Sequence, residues 1–378
     1  MAARSARSHR PARAERGPVR YGVVGLGHIA QAAVLPSFAH ARANSRLAAF
    51  VSDDPRKSRT LAHRYRTPRT FTYREFDGCL QEVDAVYIAL PNSMHAEFAI
   101  RAAEAGVHVL CEKPMAVTAD ECERMIAACD ANRVKLMIAY RLHFEAINLK
   151  AIELVRSGRI GPPKYFNSSF SMSVTPGNIR TRKKMGGGTL HDIGVYCINA
   201  ARYLFRAEPK EVMAISVNSG TPRLAEVDES TAAILRFDGE RVASFVVSFN
   251  AADVASYRIV GTKGDLKVDP AYEYAEGLAY ELTIDGKTTR KRLGKRDQFA
   301  PELLYFSDCI LRNREPEPSG WEGLQDVRIV QALYESAETG KAVQIPPFEK
   351  RRRPTLDQRI DRPGVDEPDL VGVKSASQ

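Results

Sequence analysis

The stretch VRYGVVGLGHIAQAAV, residues 19–34, constrains the fold of this chain more than any other. A β-rich apolar run breaks into Gly25-Leu26-Gly27-His28-Ile29-Ala30, and a helical pattern follows from about residue 29 to 42. Glycine at 25 permits a tight turn, glycine at 27 lets backbone amides approach a bulky anion, and the small Ala30 lets the helix pack closely on the strand. Such a turn aims the unpaired N–H groups of a helix N-terminus at a phosphate. Alone the pattern is weak, and it gains force from what comes after. LAAFVS (47–52), DAVYIAL (84–90), VHVLCE (107–112) and KLMIAY (135–140) read as further strands, separated by helical patterns at 55–65, 96–106 and 119–133. Strands and helices alternating at this spacing specify βαβ units on a parallel sheet covered on both faces. Residues 19–140 therefore read as a doubly wound, Rossmann-type α/β domain that binds a dinucleotide.

The tip of the second strand selects between two dinucleotides. An acidic side chain there binds a ribose 2′-hydroxyl, whereas a small residue with a nearby cation admits a 2′-phosphate. The sequence runs Ser52-Asp53-Asp54-Pro55-Arg56-Lys57. With LAAFV as the strand, Ser52 is the tip and Lys57 reaches back from the helix start, which favours NADP. A shift of one residue would make Asp53 the hydroxyl ligand and leave NAD open.

Beyond residue 160 the period changes from helix–strand alternation to period-two strands: PKYFNSSFSMS, EVMAISVNS, STAAILRF, RVASFVVSFN, SYRIVG, GDLKVD and YELTID. FDGER and IDGKT are turns of the kind that join hairpins. One helix interrupts at about 189–205, and ELLYFSDCILRN and LQDVRIVQALYESAETG are helical patterns that close the fold. Residues 141–348 are thus expected to form an α+β domain with a large, mostly antiparallel open sheet, which binds substrate. An uncovered sheet face predicts a homodimer or homotetramer assembled through it. Residues 1–18 read as a disordered basic arm and residues 349–378 as an extended one.

Charge and cysteine usage narrow the function classes. The net charge of +9 sits largely in the ends, since residues 1–20 hold six arginines against one glutamate, and the body between the arms is nearly neutral. No element carries a basic stripe with interleaved aromatics, which argues against nucleic acid. No apolar run approaches a membrane span, and the Arg-rich N-terminus lacks the apolar segment of a signal peptide. The six cysteines form no CxxC pair and no metal-ligand spacing, so no metal is expected and a reducing cytoplasm is the expected location.

Three more stretches carry chemistry. Pro91-Asn92-Ser93-Met94-His95 follows the third strong strand, where this fold class binds ligands, so Pro91, Asn92 and His95 are candidates to touch the cofactor; the alternative for His95 is a satisfied ring at a helix start. Glu112-Lys113-Pro114 ends another strand on the same side, and Pro114 restricts the backbone of Lys113, aiming its ammonium group. GGGTLHDIGVYCINAARYLF (186–205) places three glycines, read as leaving backbone free to approach a ligand, before a helix with Asp192, Tyr196 and Asn199 on one face.

GLGHIA, LPNSMH, CEKP and GGGTLHDIGVYCIN, in this order, resemble the glucose–fructose oxidoreductase and inositol dehydrogenase family from about Val19 to Ile345. The resemblance implies NAD(P) on the first domain and a sugar pocket on the second. It also implies catalytic Lys113, Asp192 and Tyr196, with Tyr196 standing where many inositol-dehydrogenase-like members have histidine. DIGVYCIN, VSDDPRK and YRLHF (140–144) are similar to the NADP-dependent aldose dehydrogenase subgroup. They add Tyr140 and His143 to Asp192, Tyr196 and Asn199 as substrate-facing residues. The expected reaction is oxidation of an aldose at C1 to the lactone. An ordinary tyrosine, of pKa about 10, is a poor base near neutrality, and Lys113 is the cation expected to favour its phenolate. A sugar–sugar oxidoreductase with tightly bound NADP and a non-enzymatic dinucleotide-binding regulator remain the alternatives.

Overall fold

The computed structural model describes residues 17–67, 69–350, 352–366, 368–373 and 375. The proposed disordered arm falls almost wholly outside the described residues. Strands β1 (Val19–Val24), β2 (Ser45–Val51), β3 (Arg69–Phe71), β4 (Ala85–Ile88), β5 (His108–Glu112) and β6 (Leu136–Ala139) form a six-stranded parallel sheet in the order β3-β2-β1-β4-β5-β6. Each of the βαβ units read from the sequence is present. The first helical segment spans Ala30–Val34 and Leu35–Ser37, shorter than expected, because the chain turns at 38–44 to enter β2 two residues early. The helix Pro55–Tyr65 is capped by Asp54, which accepts from the N–H groups of Arg56 and Lys57 at 3.0 Å each. Thr118 and Glu121 make a reciprocal capping box on the helix Ala119–Ala131.

The second sheet contains β7 (Pro163–Ser173), β8 (Pro209–Val217), β9 (Ser230–Phe237), β10 (Arg241–Ser248), β11 (Asn250–Gly261), β12 (Gly264–Val268), β13 (Ala279–Ile284), β14 (Lys287–Arg292) and β15 (Val343–Gln344). Their order is β14-β13-β12-β11-β7-β10-β9-β8-β15, and the pairs are antiparallel except β7 with β10. FDGER joins β9 to β10 and IDGKT joins β13 to β14, as the turn chemistry requires. One face packs Phe166, Phe170, Phe245 and Tyr257 against the helix Val195–Phe205. The other exposes Tyr165, Met213, Ile215, Val217, Ile234, Val242, Val246 and Val254.

Two helices from beyond residue 141 also pack into the cores of the first sheet. The helix Ala300–Leu311 packs Leu303, Phe306 and Ile310 against Val19, Tyr21 and Phe50 of the parallel sheet. The helix Gly320–Thr339 contributes Leu324 and Val327 to the core on the opposite face. The first sheet needs helices on both faces, and residues 19–140 alone leave part of that surface uncovered. From Arg352 the chain is extended, as expected of an arm, but it follows its own fold: Arg353 pairs with Glu208 at 2.8 Å and Gln358 donates to Glu317 at 2.8 Å. No described helix is long and apolar enough to cross a membrane.

Candidate active site

The carboxyl ends of β1, β2, β4 and β5 deliver Gly25, Ser52, Leu90 and Lys113 to one cleft of about 1270 Å³. It opens where the strand order reverses between β1 and β4, the switch point at which such sheets take their ligands. Its volume exceeds the roughly 300–1,000 Å³ of ordinary ligand pockets, enough for two ligands side by side. Gly25 has φ +92°, and a methyl there would stand 2.5 Å from the carbonyl oxygen of Ala89, so the turn requires glycine. A methyl at Gly27 would meet nothing within 4 Å, which leaves the backbone amides open to an anion. His28 and Ile29 line the cleft, while Ala30 is wholly buried behind it, packing the helix on the sheet.

β2 ends at Val51, so Ser52 is the strand tip; it is buried and accepts from the Asp54 N–H at 3.3 Å. Asp53 turns outward and accepts the Tyr73 N–H at 2.7 Å, and it does not line the cleft. Lys57 does line it, with Nζ 3.6 Å from Asp54. A small residue at the tip, the acid turned away and an amine on the rim suit a ribose carrying a 2′-phosphate.

At the inner end, Glu112 accepts from the Tyr87 hydroxyl at 2.8 Å; burial raises its pKa, partly offset by Lys113. The bond from Lys113 to Pro114 is cis. Lys113 Nζ donates to the Asp192 carbonyl at 2.8 Å and lies 3.5 Å from Asp192 Oδ1. The other carboxylate oxygen of Asp192 accepts from Arg180 Nε at 2.6 Å. Burial alone would raise the Asp192 carboxyl, but Arg180 and then Lys113 outweigh it, and the net shift is downward. Tyr196 stands between Phe170 and Tyr272, ring centroids 5.6 and 5.8 Å away. Lys113 Nζ sits 4.6 Å from the centre of its ring. Lysine, aspartate and tyrosine, 83 positions apart from first to last, thus meet at the wall of the cleft.

Several expectations need correction. The group bonded to the Tyr196 oxygen is not Lys113 but Arg141, whose Nη2 donates to it at 3.3 Å. Asn199 does not face the cleft. It donates to Glu322 at 2.8 Å and Asp326 at 2.9 Å and accepts from His143 at 2.8 Å, because seven residues along the helix carry it past the pocket into the interior. His143 also contacts Glu317, and the Tyr140 hydroxyl donates to Asp326 at 2.7 Å, so both belong to this buried polar network. His95 is fully buried, its ring nitrogens each 2.9 Å from the carbonyls of Leu90 and Pro114. Burial lowers its pKa, and its place is behind the cleft, tying together the turns that carry Pro91 and Lys113. Asn92 lines the cleft but spends its amide on the Gly186 carbonyl at 2.8 Å, bridging the two halves. The glycine triplet serves protein packing: a methyl at Gly187 would stand 2.2 Å from the Arg180 carbonyl oxygen, and one at Gly188 would stand 2.3 Å from the Tyr334 hydroxyl.

Arg141 and Arg180 are the residues the sequence alone did not single out. Arg141 lay inside YRLHF, flanked by the two residues that were chosen, and Arg180 lay in the basic run IRTRKK. A third surprise is the C-terminal segment, whose Val365, Gly372, Val373 and Ser375 also line the cleft.

Comparison with known proteins agrees with this geometry. Residues 19–140 match an oxidoreductase family with an NAD-binding Rossmann fold, and residues 148–267 match the GFO/IDH/MocA C-terminal domain. A D-xylose 1-dehydrogenase [NADP(+)] from Haloarcula marismortui is 33% identical over 87% of this chain and 93% of its own. Among solved structures, an aldose-aldose oxidoreductase from Caulobacter crescentus complexed with glycerol superposes with a TM-score of 0.83, at 38% identity, over 87% of this chain and all of that one. A 3-ketoreductase from Actinomadura kijaniata in complex with NADP and TDP-benzene has a TM-score of 0.78 at 26% identity, over 85% of this chain and 98% of its own.

Proposed function

This chain belongs to the GFO/IDH/MocA family of oxidoreductases, and on that premise we propose that it oxidises an aldose at C1 to the lactone with NADP. The observation that carries this reading is the convergence of Lys113, Asp192 and Tyr196 on a cleft built for a dinucleotide. NADP, when bound, supplies the hydride acceptor. The chain must then remove the hydroxyl proton, and Tyr196 Oη is the acceptor. Arg141, bonded to that oxygen, and Lys113, over the ring, both favour the phenolate that takes this proton. Asp192, held ionised between Arg180 and Lys113, keeps the lysine in place and presents acceptor oxygens to sugar hydroxyls.

The test is NADPH formation at 340 nm with a panel of aldoses. Pentoses and hexoses are expected to give signal, and Lys113→Ala and Tyr196→Phe are each expected to lower turnover by roughly 10²-fold or more. Absence of turnover on every aldose with NADP bound would favour a regulator instead. The second reading, sugar–sugar oxidoreduction with retained NADP, draws on the likeness to the aldose-aldose oxidoreductase. Stoichiometric NADPH that a second sugar discharges, without added cofactor, distinguishes it. The exposed apolar face of the second sheet supports a homo-oligomer assembled there. Six buried, unpaired cysteines suit a reducing compartment, and the cytoplasm is the location this supports.

A further inference from the structure

The dinucleotide cleft has a wall that the Rossmann motif does not provide. Gln31, one residue beyond the glycine signature, is 1% exposed although it lies on the first turns of the helix facing the cleft mouth. What buries it is the C-terminal segment. The Gln31 side chain accepts the Val371 N–H at 2.7 Å and donates to the Val371 carbonyl at 3.0 Å, so the amide pairs with the backbone as a neighbouring strand would. The same Nε2 donates to the Leu26 carbonyl at 2.9 Å, inside the glycine turn itself. On either side the segment has further seats. Arg64 donates to the Asp369 carbonyl at 2.5 Å, and Thr175 to the Ser375 carbonyl at 3.4 Å from across the cleft. Gly372 has φ +62°, and a methyl on it would stand 3.2 Å from Lys57 Cε, the amine placed at the 2′-phosphate end.

We infer that the C-terminal segment, through Val365, residues 369–373 and Ser375, completes the dinucleotide site, with Gln31 as the clamp that seats it, and so sets how slowly the cofactor leaves. This rests on the dinucleotide reading of the cleft and deepens it. The strap runs from the helix N-terminus, where the pyrophosphate would sit, to Thr175 on the second domain. A cofactor bound beneath it leaves only when Val371 is released from Gln31. Slow release is the physical condition for one NADP to serve successive sugars in place.

The experiment uses the full-length protein and two variants at opposite ends of the contact. Gln31→Leu removes both bonds to Val371, and with them the one to the Leu26 carbonyl, while leaving a side chain of similar volume; Gly372→Val leaves the glycine turn untouched. Gly372→Val forces a β-branched residue into a left-handed conformation and against Lys57, at an exposed position where the fold is not at stake. NADPH dissociation is followed by stopped-flow fluorescence with excess NADP as competitor, in the absence of sugar. Each variant is expected to release NADPH about tenfold faster or more, the change that one or two lost hydrogen bonds permit. In the wild type, amide hydrogen exchange at 369–373 is expected to slow when NADP is added. Unchanged release in both variants, or exchange at 369–373 indifferent to NADP, overturns the inference. A wild type that releases NADPH slowly yet oxidises no aldose refutes the proposed reaction and leaves the strap standing.

Discussion

Arg141 is the residue whose role the geometry specifies and the sequence did not, and Arg141→Gln tests it. The guanidinium donates to the backbone carbonyl of Tyr272, to Gln298 and, at 3.4 Å, to the Glu273 carbonyl, which fixes it in place. Its remaining reach goes to the Tyr196 oxygen at 3.3 Å, and its carbon lies 5.2 Å from the centre of that ring. A charge-assisted bond of normal length is 2.7–2.9 Å, so the contact to the neutral phenol is loose and has room to tighten on the phenolate, the form that accepts the proton. A cation that favours the phenolate raises the share of enzyme able to take the proton, so its loss lowers kcat and kcat/KM together near neutral pH. Taking about 2 kcal/mol for a hydrogen bond to a charged group, Arg141→Gln should reduce kcat by roughly 30-fold. The decisive assay is a double-mutant cycle with Tyr196→Phe, read by single-turnover NADPH formation. Phenylalanine keeps the ring beneath both cations and removes only the oxygen. In that background Arg141→Gln should cost no more than the residual ring contact, about 0.5–1 kcal/mol. An undiminished 30-fold loss in the Tyr196→Phe background refutes action through the phenol oxygen. A thermal-unfolding control accompanies the cycle, because the substitution also strips Arg141 from the Tyr272 carbonyl, at a cost of about 1–3 kcal/mol where water does not replace it, whereas the Glu273 carbonyl keeps Gln298 at 2.9 Å.

Other outcomes follow from the same structure. Ser52→Asp should weaken NADP relative to NAD by at least about tenfold in competitive binding, because a carboxylate at the strand tip repels a 2′-phosphate; a wild type that already prefers NAD would contradict the assignment of Ser52 and Lys57. Ile215→Asp on the open sheet face, where Ile215 is 64% exposed, should reduce the particle mass in light scattering, and an unchanged mass would reject that face as the interface. Burial, with the neighbouring Glu322 carboxylate and only partly offset by Arg202, raises the Asp326 pKa above the ordinary carboxylate range. A raised folded-state value stabilises below the unfolded value and is lost as pH rises through the folded one. This carboxyl's own contribution to stability against urea should therefore shrink as pH rises above the ordinary carboxylate range, and Asp326→Asn should remove that part of the pH dependence.

Local pattern made the first domain legible. The glycine turn, its strand and its helix lie within sixteen residues, and each later βαβ unit repeats the same period, so no distant contact was needed to read them. The second sheet was legible strand by strand for the same reason, and the strands missed were β3 in the first sheet and β14 and β15 in the second. Two of these are three residues or fewer, and β14 is exposed throughout, so none shows an apolar alternation. The packing partners of the last helices were not legible, because helix amphipathicity says that a face is buried but not against which sheet. The helix Ala300–Leu311 follows the second sheet in sequence and completes the first in space.

Site residues divide along the same line. Lys113 and Asp192 were legible because each sits at a structural discontinuity, a strand end or a loop-to-helix entry, where a charged residue has to have a reason. Asn199 was misplaced because helical spacing fixes a face only over a turn or two. Seven residues from Asp192 the pocket has ended, and the same face has entered the network of Arg202, Glu322 and Asp326. That network has its own bearing on the chemistry. It holds Tyr140 through Asp326 and His143 through Asn199, one residue before Arg141 and two after it. The segment that carries the guanidinium is thus pinned from within the protein, and the chain beyond Lys350 is pinned there too, through the pairing of Lys350 with Glu322. The arginine that meets the phenol and the start of the arm that covers the cofactor cleft therefore hang from one buried cluster. Loosening it by Asn199→Ala should disturb both catalysis and cofactor release, although Asn199 touches neither ligand.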